Sequence, residues 1–126
     1  MKTIWITVIL LVIVLAGSFV LYYFTSIQYG ALQDNLAKMG KAVEREDWEG
    51  ARREAARLRE LWRRCDAFWT PIMDHRQVDR LDESLTRTLH VVEQRQKESA
   101  LLEIAVARRI MRRVKDAQLP SLQNIF

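Results

Sequence analysis

The chain is poor in the residues that crosslink or punctuate other folds. It has one cysteine, Cys65, so no intramolecular disulfide can form. Four glycines and two prolines are too few for the many turns of an all-β domain. No glycine-rich phosphate loop, nucleophile motif or cysteine-histidine metal spacing is present. Ser84, Ser99 and Cys65 have no local base arranged with them, so no enzyme is expected. Charge of one sign is scarce too. Twenty Lys and Arg stand against sixteen Asp and Glu, a net charge of +4, which makes a mildly basic, ion-pair-laced surface. That is not a nucleic-acid-binding composition, and no nucleic-acid partner is expected.

What the chain does have is a long uncharged run. Ile4 to Phe24 (IWITVILLVIVLAGSFVLYYF) contains no charge, and the next charged residue is Asp34. At about 1.5 Å per residue a helix over this run spans roughly 30 Å, the thickness of a bilayer's hydrocarbon core. Trp5 near one end and Tyr22, Tyr23 and Tyr29 near the other suit interfacial anchors. A cleavable signal peptide is the competing reading, with Val14-Leu15-Ala16 as its peptidase site, but the apolar run continues past it to Phe24. Leu15-Ala16-Gly17 resembles the start of a lipobox, yet Ser18 stands where a lipid-bearing cysteine would be needed. The expectation is an uncleaved signal-anchor over 1–29. Lys38, Lys41 and Arg45 follow the run, but a domain longer than ~60 residues translocates largely regardless of its charge. With Lys2 on a very short tail, the expected location is the cell membrane, single-pass, N-terminus cytoplasmic and C-terminal domain extracytoplasmic.

Beyond the anchor the periodicity is helical throughout. Leu32, Leu36, Met39 and Val43 continue the first helix as an amphipathic stalk over 30–46, which Gly30 or Gly40 could bend. Asp47 should cap a second helix over about 47–70. Its seam sets Trp48, Ala55, Trp62 and Trp69 at one heptad position and Ala51, Leu58, Cys65 and Ile72 at another, with Glu49–Arg53 and Glu60–Arg64 as i,i+4 pairs. Such a tryptophan stripe reads as core. Pro71 breaks the helix. Asp74 caps a third helix over about 75–95, with Val78, Leu81, Leu85, Thr88 or Leu89, and Val92 inward. A polar connection, Glu93 to Ser99, leads to a fourth helix over 99–118 capped by Ser99. Its inner face is Ala100, Ile104, Ala107, Met111 and Val114. Leu101, Leu102, Val106 and Ile110 widen that face, so packing on two sides is expected. A tail over 119–126 follows. Asp47-Trp48-Glu49-Gly50-Ala51 is similar to the opening of a tetratricopeptide helix, but no copy follows at that repeat's spacing, and no internal repeat is expected. The fold class is therefore all-α: a transmembrane helix continuing into a stalk, then three further helices forming an antiparallel bundle with it, the bundle domain occupying 30–126.

Two polar groups could carry chemistry. His75, Asp79 and Glu83 fall on one face of the third helix, a set that could hold a divalent metal. The competing reading is an acid-rich first turn suited to the positive end of the helix dipole, and neither a metal nor another cofactor is expected. Arg108, Arg109, Arg112, Arg113 and Lys115 crowd the last helix. They either complement the helix C-terminus or meet an anionic surface, a lipid headgroup or an acidic partner.

Asp47-Trp48-Glu49-x-Ala51, Trp62, Trp69, Asp74-His75, Ser84-Leu85 and the closing Ser121-Leu122-x-Asn124-Ile125-Phe126 together resemble an uncharacterised family, a domain of unknown function. The resemblance covers nearly the whole chain, although Pro71 departs from the pattern. It implies a short, single-span helical membrane protein of spore-forming Gram-positive bacteria, with its helical domain outside the membrane and no assigned activity. It also implies companionship with a multi-span membrane protein. The function expected is thus a membrane-anchored, non-enzymatic interaction or accessory module whose partners are membrane lipid and another membrane protein or a second copy. The alternative is a bundle-type sensory domain binding a small ligand or metal near Asp74 to Glu83.

Overall fold

A computed structural model describes residues 1–71 and 74–118, with side-chain surroundings as far as residue 116. The expected contacts of Ile72 and of the 119–126 tail lie outside the described residues. Four helices follow one another: α1 (Lys2–Glu44), α2 (Trp48–Trp69), α3 (His75–Glu93) and α4 (Lys97–Gln118). Each packs on its chain neighbour and α4 closes against α1, which makes a four-helix bundle. Its short turns alternate between the two ends, so chain neighbours run antiparallel.

The helices end where the sequence offers stops. Asp47 Oδ1 accepts the Gly50 N–H at 3.0 Å, and Asp74 Oδ1 accepts the Arg76 N–H at 3.0 Å, so both expected aspartate caps form. α2 stops at Trp69, two residues before Pro71. α1 runs unbroken through Gly30 and Gly40. The fourth helix begins at Lys97, so the polar connection is only 94–96 and Ser99 lies inside the first turn. A compact turn replaces the longer linker because the Gln96 N–H reaches back to the Val91 carbonyl.

The stalk forms the fourth side of the core. Leu32, Leu36, Met39 and Val43 have no exposed surface and belong to one buried cluster with Ala51, Leu58, Trp69, Leu81, Leu85, Val92, Ala107 and Met111. Burying each large apolar side chain contributes about 1.5–3 kcal/mol. This packing fixes the C-terminal half of a 43-residue helix as an integral bundle element. The other half projects from the bundle. Every residue from Met1 to Phe24 is exposed, leaving an apolar rod of about 35 Å. α4 packs on both α1 and α3, and Leu101 and Ile110 are half-buried there, but the expected wider face stops short of Leu102 and Val106. Leu102 is 64% and Val106 38% exposed, because they lie on the side of α4 turned away from α1 and α3.

The structure also corrects the expectation that no internal repeat exists. Residues forty-nine apart play the same parts in α1–α2 and in α3–α4. Leu32 and Leu81, Leu36 and Leu85, Val43 and Val92, and Ala51 and Ala100 are identical buried pairs. Glu46 and Arg95 are the two non-glycine residues with positive φ among those described, at 57° and 55°. The Asp34–Lys38 ion pair matches Glu83–Arg87. Asn35 and Ser84, the two residues with a buried, unpartnered polar atom among those described, also correspond. The bundle is a doubled helical hairpin. Each hairpin leaves one face uncovered, and pairing two of them closes the core.

Candidate functional site

The end of the bundle from which the rod emerges gathers most of the polar contacts between distant helices. Trp69, buried at the end of α2, donates its indole N–H to Gln28 Oε1 at 2.7 Å. Its ring stands edge-on to Trp62, 6.1 Å between centroids, and the Trp62 indole N–H reaches Asp82 Oδ1 on α3 at 2.7 Å. Of the three heptad tryptophans of α2, Trp69 is buried core, Trp48 and Trp62 are half-buried against that core, and Trp62 and Trp69 are inter-helix donors. On the other side Lys115 Nζ lies 4.9 Å from the centre of the Tyr29 ring. Arg108 Nε donates to Gln33 Oε1 at 3.1 Å, and Gln33 Nε2 donates to the Arg108 carbonyl at 3.2 Å.

These contacts divide the five cations of α4. Arg108 and Lys115 are held against α1 and serve the packing of the bundle. Arg109, Arg112 and Arg113 face solvent, and no described carboxylate lies within ion-pair distance of any of them. The basic cluster in the sequence thus contains a structural pair and an outward triad, a split that chain periodicity alone did not reveal.

His75, Asp79 and Glu83 lie on the exposed side of α3, and Glu83 is engaged by Arg87. Among the described residues no three His, Cys, Asp or Glu side chains come close enough to hold a metal ion. Asp74 has a definite local task as the cap of α3. Cys65 is buried, and removal from water pushes its thiol up to about 12. It is a small core hydrophobe, and its counterpart forty-nine residues on is Val114. At the opposite end of the bundle, Lys38, Lys41, Arg45, Arg53, Asp47 and Glu54 line a shallow cavity of about 280 Å³ between α1 and α2.

By length and composition the helix Lys2–Glu44 could cross a membrane, and none of its apolar window is buried within the bundle. That exposure separates it from a soluble core helix, although a signal sequence meets the same criteria. A family model described as "Domain of unknown function (DUF4363)" matches residues 19–125. The chain belongs to this family. The DUF4363 match begins inside the apolar run and takes in the entire bundle, so the stalk is part of the family's unit. No curated protein and no solved structure matches the chain.

Proposed function

We propose that this DUF4363 protein is a single-span, membrane-anchored helical module that acts by contact, without catalysis, on the outer side of the cytoplasmic membrane. The observation that carries the reading is the continuity of α1. Twenty-odd exposed, uncharged residues run without a break into the stalk that forms one side of the bundle core. An anchor joined in this way holds its domain at a fixed height and angle, which suits a subunit meeting a neighbour in the same membrane. Leu102 and Val106, exposed on α4, mark the flank that a neighbouring membrane protein would cover.

Two measurements test the reading. The chain should resist alkaline extraction from membranes, and a C-terminal reporter should be active only on the outer side; extraction into the soluble fraction would end the anchor reading. A photocrosslinker at Leu102 should capture a membrane protein. A chain that yields no adduct in native membranes would argue against a contact role.

A further inference from the structure

We propose that Arg109, Arg112 and Arg113 form a binding site for the phosphate groups of anionic phospholipids. The proposal rests on the reading of the rod as a membrane anchor.

The first argument is height. Lys115 lies over Tyr29 and Arg108 is bonded to Gln33, so Arg112 and Arg113, between them on α4, stand level with the first turns of the stalk. Tyr29 is five residues beyond Phe24, where the exposed apolar rod ends, an axial step of about 7.5 Å. The headgroup layer outside the hydrocarbon is roughly 5–8 Å deep, and the arginine side chain is long and flexible enough to cover the remaining distance.

The second argument comes from the doubled hairpin, which supplies its own control. Arg63 and Arg64 on α2 are the counterparts of Arg112 and Arg113. In α2 a single carboxylate, Glu60, holds both, at 3.0 and 3.2 Å. The hydrogen bond and charge of Arg63, followed by those of Arg64, pull the Glu60 carboxyl below its ordinary range. In α4 the residue at Glu60's position is Arg109. Three cations replace a set of two cations and one carboxylate, and the exposed Asp116, four residues after Arg112 and three after Arg113, is not in ion-pair contact with any of them.

Helix stability does not account for the triad. Like charges three and four residues apart are unfavourable by a few tenths of a kcal/mol per pair. The helix dipole favours cations only in the last turn, whereas α4 continues to Gln118, five residues past Arg113. An anionic ligand supplies the missing compensation. Guanidinium groups suit phosphate because they can donate two parallel hydrogen bonds to it.

The test uses the full chain in nanodiscs of phosphatidylcholine mixed with phosphatidylglycerol, counting by native mass spectrometry the lipids retained on the protein. The wild-type chain should retain phosphatidylglycerol in preference to phosphatidylcholine. R109Q/R112Q/R113Q should lose the preference, by on the order of five-fold per arginine. R109K/R112K/R113K should keep most of it, and R63Q/R64Q should leave it unchanged. A wild-type chain without the preference, or a glutamine variant that retains it, overturns the proposal. So does a glutamine variant that loses a protein crosslink in native membranes while its lipid preference stands, because the site would then belong to an acidic protein. Failure of the wild-type chain to enter discs of pure phosphatidylcholine would instead remove the anchor reading beneath it.

Discussion

Gln33 and Arg108, 75 residues apart in the chain, each donate one hydrogen bond to the other. The amide of Gln33 reads both the guanidinium and the backbone carbonyl of Arg108, so it fixes the rotation of α4 against the stalk. Both residues are half-buried, and losing either partner leaves the other incompletely satisfied. Gln33→Ala is expected to destabilise the bundle by about 1–2 kcal/mol. Arg108→Ala should cost a similar amount, and the double variant less than the sum of the two. Thermal unfolding of the chain in mild detergent, followed by circular dichroism, measures all three; strict additivity would mean that the pair carries no coupling.

Three of the glycines are expected to respond to alanine with different signs. A Cβ at Gly30 would meet nothing within 4 Å, and one at Gly40 would touch Ile104 Cγ2 at 3.7 Å, an ordinary contact. Both lie inside α1, where alanine should raise stability by about 0.8–1 kcal/mol. At Gly50 the Cβ would collide with Asp47 Oδ2. The carboxylate that caps α2 would have to move away, and losing a cap costs about 0.5–2 kcal/mol. Gly50→Ala should therefore unfold at a lower temperature than the wild type while Gly30→Ala and Gly40→Ala unfold at higher ones. A stabilised Gly50→Ala protein would show that the cap contributes little.

Much of this architecture is legible in the chain because its helices are amphipathic and their stops are chemically explicit. Asp47, Asp74 and Pro71 mark ends that the structure bears out, and the expected seam positions of the stalk, α2, α3 and α4 are buried wherever described except the half-buried Trp48 and Trp62. Of the four residues expected to widen the α4 face, Leu101 and Ile110 are half-buried and Leu102 and Val106 exposed. The expectation of no internal repeat rested on the tetratricopeptide spacing alone, whereas the identities of the doubled hairpin, Leu32 with Leu81 and Arg63 with Arg112 among them, fall forty-nine residues apart and are interrupted by mismatches. Met39 matches Thr88, Ala55 matches Ile104, and the turn residues Glu46 and Arg95 have opposite charge. Shared burial and turn geometry in three dimensions identify these mismatched positions as counterparts. The division of the basic cluster was illegible for a different reason: Arg108 and Arg109 are adjacent, and which one meets Gln33 depends on how α4 is rotated against α1.

The two positive-φ residues give a paired prediction. In each hairpin the turn closes in the same way: the Asp47 N–H bonds to the Ala42 carbonyl and that of Glu46 to Val43, while Gln96 bonds to Val91 and Arg95 to Val92. The left-handed position within this motif favours glycine, because a Cβ is crowded there. Arg95→Gly should gain about 0.5–1 kcal/mol. Glu46→Gly should gain somewhat less, since it also removes the exposed Glu46–Lys97 contact at 3.7 Å, which links the two turns. Both melting temperatures should rise, Arg95→Gly by more; a fall in either would show that the native side chain stabilises its turn by more than the backbone strain it carries.

Cys65 provides a pH signature of the folded core. Burial raises its thiol to about 12, from an ordinary value near 9 in the unfolded chain. Below pH 9 the thiol is protonated in both states and its contribution to stability is fully present. Between about pH 9 and 12 the unfolded chain loses this proton while the folded chain keeps it, so stability from this group falls as pH rises through that window. Cys65→Val, which installs the side chain found at the matching position 114, should fold, because the site already treats the thiol as a small hydrophobe. The variant should lose less stability than the wild type between pH 9 and 11. In the same range the native thiol should resist alkylation until the bundle is unfolded. Rapid labelling of the folded chain at pH 8, or identical alkaline unfolding curves for wild type and Cys65→Val, would contradict the buried, protonated state.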